Sequence, residues 1–349
     1  MTDLIVPLFL VVCGVAVLLV KDLMSSIMIF SVYSLMIAIE WCRLNAVDVA
    51  ITEAAVGAGI STVLFLVILG RTKYVDEGKK RLNIPALLVA VGFAALLLYG
   101  TIDLPHLREG NIAPNTHVVT PYYLEHTYEE AGQLNAVAAI LAYYRGYDTL
   151  FETTVVATAG FCLILLLRVR NKKLGTLDSQ KNGVTAMNKK THASIGVKPN
   201  ETFPDILDQD RDIIMKTVTK FLIPFIQLFG LYVIVHGDMS PGGGFQGGVI
   251  LGVSIIIYSL VFGFEEAKKR MMSVKTKDLL ISTGVLVYGG IGVIALFLGG
   301  NYLQYGVLMP DPQFGSIVGI MGIEIGVGIT VAAVMITLFY ETVRIDAND

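Results

Sequence analysis

Ala46-Val47-Asp48-Val49-Ala50-Ile51-Thr52-Glu53-Ala54-Ala55-Val56-Gly57-Ala58-Gly59 opens an apolar run that continues through Ser61 to Leu69, long enough to cross a bilayer. Two carboxylates stand in its first turns, and the segment holds no Lys or Arg to neutralise them. An ionised side chain at the centre of a spanning helix costs about 3 kcal/mol even on the mildest scale, so such residues face other helices or a water-filled path. Asp48 and Glu53 are five residues apart, which sets them about 140° apart around the helix axis. They line one wide polar sector, not a narrow stripe. Asp48 reads either as a solvated helix-start residue, where an acid suits the positive end of the helix, or as part of an ion path. Glu53 lies roughly 7 Å deeper at 1.5 Å per residue, and there the ion path is the better reading.

Outward from this stretch, the whole chain has the same character. Of 349 residues, 54% are hydrophobic and only 16% are charged, and the mean hydropathy of +0.68 describes a polytopic membrane protein and excludes a soluble globule. The expected fold is all-α, with nine spans near 4–20, 23–42, 48–69, 84–102, 149–168, 213–235, 245–264, 278–299 and 315–340. The net charge of −3 gives no reason to expect a nucleic acid partner. Cys13, Cys42 and Cys162 stand singly and the five histidines do not cluster, so no iron–sulfur, zinc or other metal site is expected in this chain. Met1-Thr2-Asp3 lacks the basic region of a cleavable signal and reads as the start of the first span.

Residues 103–147 read as a long polar loop with His106, Pro114 and Pro121, its later part from Gly132 to Tyr144 suited to a short interfacial helix. Residues 168–212, rich in Lys, Asn, Thr and Ser, have no apolar period and read as a linker between two membrane domains. With nine spans, one side of the membrane holds all but three of the 26 Lys and Arg residues, the exceptions being Arg43, Arg108 and Arg145. The bias of positive charge toward the cytoplasm then puts the N-terminus outside and the C-terminus inside, in a multi-pass protein of the cell membrane.

Further constellations stand at the ends and in the middle of the later spans. Arg145-Gly146-Tyr147-Asp148-Thr149-Leu150-Phe151-Glu152 opens the fifth span, with Asp148 and Glu152 four apart on one helix face and Arg145 within reach of Asp148. It is either an acidic first turn with a local ion pair or an outer-side cation station built from Asp148, Glu152 and neighbouring hydroxyls. His236-Gly237-Asp238-Met239-Ser240-Pro241-Gly242-Gly243-Gly244-Phe245-Gln246-Gly247-Gly248 joins spans six and seven. It lacks the Lys-Ser/Thr of a phosphate loop and reads as a packing turn whose backbone N–H groups are placed to hold an anion or a neighbouring carboxylate. Glu324 stands near the bilayer middle of the last span among Gly315, Gly319, Gly322 and Gly326, a spacing that suits close helix contact. It is either protonated and hydrogen-bonded across an interface or part of an ion path. Glu40, near the end of span two, is a further candidate acid, and Lys216 and Lys220 read as cations reaching the inner surface.

These motifs carry a resemblance. His236–Gly248, with Leu222-Ile223-Pro224, Gly230-Leu231-Tyr232 and Glu324-Ile325-Gly326-Val327-Gly328, resembles the B-type component of Mrp-type Na⁺/H⁺ antiporters. Residues 1–75, with Asp48-Val49-Ala50 and Thr52-Glu53-Ala54, resemble the D-type component of membrane-bound hydrogenases, itself similar to the C-terminal part of the antiporter's large A-type component. Residues 84–170, with Arg145-Gly146-Tyr147-Asp148-Thr149 and Glu152, resemble the companion E-type component. The resemblance implies a D-type domain over 1–82, an E-type domain over 83–170, a cytoplasmic linker over 171–211 and a B-type domain over 212–349. It also implies an ion-translocation role for Asp48, Glu53, Asp148, Glu152 and Glu324, with Arg145, His236, Asp238, Pro241, Gly242, Gly243, Gly244, Gly247 and Gly248 as structural motif residues; Glu40 is an ion-translocation candidate from its place in span two alone. The implied function is that of one subunit in an Mrp-like Na⁺ or H⁺ translocating module of a respiratory complex of the hydrogenase, sulfur reductase or formate hydrogenlyase kind. The chain itself would carry no cofactor and no redox centre. Its partners would be C-, D-, E-, F- and G-type membrane subunits and a redox arm with iron–sulfur subunits, all within the lipid bilayer. The alternatives are a component of a stand-alone antiporter, or a scaffold whose buried acids are inert.

Overall fold

The computed structural model describes residues 2–70, 84–104, 118–185 and 209–344. The basic loop at 71–81, His106 and Pro114 of the long loop, and most of the linker lie outside the described residues. Among those described, every regular element is helical. The chain runs α1 (Thr2–Leu19), α2 (Leu23–Arg43), α3 (Val47–Leu69), α4 (Ile84–Gly100), α5 (Val119–Ala131), α6 (Ala136–Ala139), α7 (Gly146–Thr185), α8 (Gln209–Val235), α9 (Gly244–Phe262), α10 (Phe264–Arg270), α11 (Val274–Phe297) and α12 (Pro312–Arg344). Seven of these helices are long and apolar enough to cross a membrane, and two shorter apolar helices, Leu4–Leu19 and Ile84–Gly100, fall where the other two spans are expected. Together they make a multi-pass membrane protein.

The starts of the helices follow from local chemistry. Asp22 caps α2 by accepting from the Ser25 N–H at 2.9 Å, and Ser273 caps α11 by accepting from the Thr276 N–H at 3.1 Å. Each such cap contributes about 1 kcal/mol. Asn45 takes the left-handed conformation at φ 61°, which Asn tolerates better than most residues, and so the chain reverses between α2 and α3. Inside α3 the segment Ala54–Ser61 is π-helical, between α-helical Val47–Glu53 and Thr62–Leu69.

The core is organised around α12, which packs on α7, α9 and α11. Val331, Ala333 and Ile336 of α12 are fully buried. Small residues permit the close approach: a Cβ on Gly248 would come within 2.7 Å of the Gly328 carbonyl oxygen, and one on Gly326 within 2.8 Å of that of Gly284. Backbones can approach this way only where no side chain intervenes. Helices α1 to α3 form a second layer, joined to the first where α3 meets α9 and α12. The side chains of α4 are all exposed. The apolar surface that α1, α4 and α8 turn outward, with Leu8, Phe93, Phe225 and Phe229 among its residues, is the surface that a bilayer covers.

Two local expectations need correction, and a third element falls where it is expected. The long polar loop holds a helix, α5, ended by Gly132 in the left-handed conformation at φ 69°. The expected interfacial helix follows it as α6 and a π-helical turn, Ile140–Tyr144. The α7 helix continues beyond its apolar part, Gly146–Leu167, to Thr185, so the first part of the expected linker is helical.

Candidate functional site

A cavity of about 370 Å³ lies where the two layers meet, and three carboxylates line it: Asp48 from α3, Glu152 from α7 and Glu324 from α12. Its wall also carries Thr52, Thr149, Thr153 and Gln246, backed by Val156, Phe245, Val327 and Val331. Each acid arrives from a separate region of the sequence. Asp48 is in the first turn of α3, Glu152 is in the second turn of α7, and Glu324 is in the middle of α12.

The glycine turn holds two of the three acids in place. Gly242 and Gly243 adopt φ 155° and 139°, a region that residues other than glycine rarely enter. This conformation turns the N–H groups of Gly242 and Gly244 toward the cavity, while the Gly243 N–H between them donates to the Val233 carbonyl at 3.1 Å. The Gly242 N–H donates to Asp48 Oδ1 at 2.9 Å, and the Gly244 N–H, at the first residue of α9, donates to Glu324 Oε2. A carboxylate at a helix N-terminus meets unsatisfied N–H donors and the positive end of the helix dipole. That compensates for part of the hydration it lost on leaving water. Glu152 has a different environment. It is exposed at the rim of the cavity, and among the described residues no ion pair or hydrogen bond holds its carboxylate.

The hydroxyls on the wall are oriented. Thr52 donates to the Asp48 carbonyl at 3.0 Å, Thr149 to the Leu141 carbonyl at 2.7 Å and Thr153 to the Thr149 carbonyl at 2.7 Å. With their protons committed, their lone pairs are what they offer a cation or a water. The site thus combines carboxylate and hydroxyl oxygens, the donor set suited to a hard cation or a proton.

Residues 132–144 seat α7 against the glycine turn. Asn135 Nδ2 donates to the carbonyls of Gly237 and Ser240, both at 3.1 Å. The N–H groups of Leu134 and Asn135 reach the Asp238 carbonyl at 3.1 and 2.9 Å. Two buried tyrosines fix the start of α7 from the other side: Tyr288 donates to the Gly146 carbonyl at 2.7 Å and Tyr305 to the Ala142 carbonyl at 3.1 Å. Outside the spans, hydrogen bonds from Tyr122 and then Tyr144, each at 2.6 Å, hold the Glu130 carboxyl below the usual carboxylate range.

The structure separates the remaining acids from the cavity. Asp148 does not share a station with Glu152. Its carboxylate is bound by Arg145 at 2.6 Å and is more than half exposed, so the ion pair turns it away. Glu40 pairs with Arg43 at 2.8 Å. Glu53 accepts from the buried Ser34 hydroxyl of α2 and immediately precedes the π-helical segment, on the α2 side of α3. His236 stacks on Tyr232 at 4.2 Å, and its Nδ1 is buried without a hydrogen-bond partner among the described residues. Asp238 lines a small second cavity that reaches Glu324 from behind. The sequence offers Thr149 and Thr153 as hydroxyls beside Glu152, but nothing in it selects Gln246, which the fold brings to the same wall. Lys277 also departs from its expected place in a basic loop. It is in the first turn of α11 and fully buried.

Comparison with known proteins divides the chain in three. Residues 8–74 match MbhD, the D subunit of MBH, and residues 86–181 match MbhE, the E subunit of MBH. Residues 214–337 match a domain related to the MnhB subunit of Na⁺/H⁺ antiporter. A probable K⁺/H⁺ antiporter A/B subunit of Rhizobium meliloti is 24% identical over 92% of this chain, which spans 32% of that protein. A putative antiporter subunit mnhB2 of Staphylococcus aureus is 32% identical over 133 residues, which cover 37% of this chain and 93% of the relative. Among solved structures, one polypeptide of the Mrp complex from Dietzia sp. superposes with a TM-score of 0.72 at 24% identity, covering 98% of this chain and 35% of that one. A polypeptide of the membrane-bound sulfane sulfur reductase, an archaeal respiratory membrane complex, superposes with a TM-score of 0.50 at 25% identity, covering 74% of this chain and 96% of that one. The chain therefore spans about a third of the Rhizobium relative and of the Dietzia polypeptide. With nearly the whole staphylococcal protein matched at its C-terminal end and both MBH domains ahead of it, the chain belongs to the Mrp/MBH-type antiporter-subunit family.

Proposed function

We propose that the chain is a membrane subunit of an Mrp-like module that moves Na⁺ or H⁺ across the membrane, and that the Asp48–Glu152–Glu324 cavity is its ion-binding site. The observation that carries the reading is the convergence of one acid from each of the three matched domains on a single cavity lined with hydroxyls. Intramembrane acids are costly and gather where ions pass. Asp48 and Glu324, held by backbone N–H groups, are the fixed members, and Glu152, without such a hold, is the one that swings toward an arriving ion. The lysine-rich ends of the spans face the cytoplasm and the glycine turn faces outward, with the N-terminus outside. Glu53, set apart with Ser34, is a secondary acid on the path; Asp148 and Glu40 act through their arginine partners as positioning residues.

The likeness to the sulfur reductase polypeptide, nearly all of which is covered, favours a respiratory complex in which partner membrane subunits and an iron–sulfur arm supply the driving reaction. A stand-alone antiporter is the second reading, favoured by the better superposition on the Mrp complex. Subunits that copurify with the chain decide between them. The ion site is tested in sealed vesicles containing the assembled complex. Glu324→Gln and Asp48→Asn are each expected to assemble and to lower ion uptake at least about tenfold, equivalent to about 1.4 kcal/mol in the rate-limiting barrier. Uptake at the wild-type rate in both variants overturns the reading.

A further inference from the structure

At the end of α11 and α12 far from the glycine turn, Lys277 is fully buried and Glu341 is 2% exposed. The Lys277 ammonium donates to Asp278 Oδ1 at 2.8 Å, to Glu341 Oε1 at 3.1 Å and to the Thr337 hydroxyl at 3.2 Å, so its three protons are all engaged. We propose that Lys277 and Glu341, with Asp278 beside them, form a second proton-binding site at the inner end of the ion path. The proposal rests on the outer cavity being that path's other end.

Three observations support it. First, a lysine near the end of a spanning helix ordinarily extends its stem and puts its ammonium in water, whereas this one is turned into the protein. Second, fastening α11 to α12 does not require charge. Buried ion pairs exchanged for apolar residues of similar size often leave a protein as stable or more so, so the pair needs a reason beyond adhesion. Third, buried polar groups continue along α12 from this cluster. Thr330, Thr337 and Glu341 are spaced seven and four residues apart on one helix face, all buried, and Thr330 donates across to the Ile281 carbonyl at 3.4 Å. Glu324 stands six residues before Thr330. From Glu324 to Glu341 the helix rises about 25 Å at 1.5 Å per residue, close to the ~30 Å of hydrocarbon in a bilayer. One helix thus carries an acid at its middle, in the cavity, and another near its far end.

The chemistry is a proton exchange that balances without another reactant. The ammonium passes a proton along its hydrogen bond to Glu341, leaving a neutral amine and a carboxylic acid. The amine takes a proton from the cytoplasmic side, and the acid releases its proton toward the path. Among the described residues, the other groups at this end include Lys275 of α11, Tyr340, whose hydroxyl donates to the Met272 carbonyl at 3.2 Å, and the α10 ion pairs Glu265–Lys268 and Glu266–Arg270. On α7, Ala157 and Ile164 pack near Ile281 and bring no charge.

The test is proton-coupled ion uptake by the assembled complex in sealed vesicles. It compares Lys277→Arg, Glu341→Gln, the double variant Lys277→Met with Glu341→Leu, and Glu324→Gln. Arginine keeps the ion pair but does not give up its proton. Lys277→Arg should therefore assemble, yet lose uptake at least about tenfold, as should Glu341→Gln and the apolar pair. Wild-type uptake in Lys277→Arg, or in an assembled apolar pair, overturns the proposal and makes the cluster a fastening. If those variants transport normally while Glu324→Gln does not, only this inference falls. If Glu324→Gln also transports normally, the outer-cavity reading falls with it.

Discussion

Glu324 and Glu53 look alike in the sequence, each a carboxylate among small residues in an apolar span without Lys or Arg. The structure gives them different neighbours. Glu324 receives the Gly244 N–H and lines the cavity, and Glu53 receives the Ser34 hydroxyl. The hydrogen bond of Glu53 depends on Gly57, because a Cβ there would collide with both the Ser34 hydroxyl and the Glu53 carboxylate. Gly57→Ala is expected to break that bond and to cost about 1–3 kcal/mol, as overpacking does. A lowered unfolding midpoint in detergent, with assembly retained at low temperature, checks it. Glu53→Gln keeps an acceptor for Ser34 and should leave the midpoint nearly unchanged. The acids themselves were legible in the sequence, because charge in an apolar run announces itself. Which of them share a site was not. Asp48 and its partner Gly242 are 194 positions apart, and whether α3 presents Asp48 or Glu53 to α9 depends on a rotation of about 140° that only packing decides.

At the scale of elements, the spans were legible because each is an apolar run of nearly the right length, and the structure places helices there. The α5 helix was not. Its sequence, Val119–Ala131, is polar and aromatic without an apolar stripe, and what holds it is tertiary: Gln313 of α12 donates to its Tyr128 carbonyl at 2.8 Å, and Gly132 packs against Ile317. The turn after it carries the junction between the E-type and B-type regions. Asn135 alone makes two hydrogen bonds across that junction and also caps α6, accepting from the Val137 N–H at 3.0 Å. Asn135→Ala removes all of these and leaves the carbonyls of Gly237 and Ser240 short of a donor. The expected loss is about 1–3 kcal/mol, read as a lower melting point and as faster proteolysis between α5 and α7. A variant with unchanged melting and cleavage would show that the junction is held elsewhere.

At the scale of the whole molecule, the direction of the path depends on which face of the membrane the glycine turn occupies. In the proposed orientation it lies outside, a reading supported by the short α10 segment, which alone holds Lys268, Lys269 and Arg270, and by the glycine turn, which holds no Lys or Arg. Two exposed positions report the two faces without disturbing the core: Met239, in the turn and 66% exposed, and Lys269, exposed at the end of α10. Cys13, Cys42 and Cys162 are free thiols and would first be replaced by serine or alanine. In that background Met239→Cys should react with a membrane-impermeant thiol reagent added to intact cells, and Lys269→Cys only after the membrane is opened. The reverse pattern would turn the molecule over. The Asp48–Glu152–Glu324 cavity would then receive ions from the cytoplasm, and the Lys277–Glu341 cluster would face the exterior. Labelling of both positions from outside would mean that α9, the span between them, does not cross the membrane. The cavity geometry would survive either result, because it depends only on contacts within the chain; the direction in which the path is read would not.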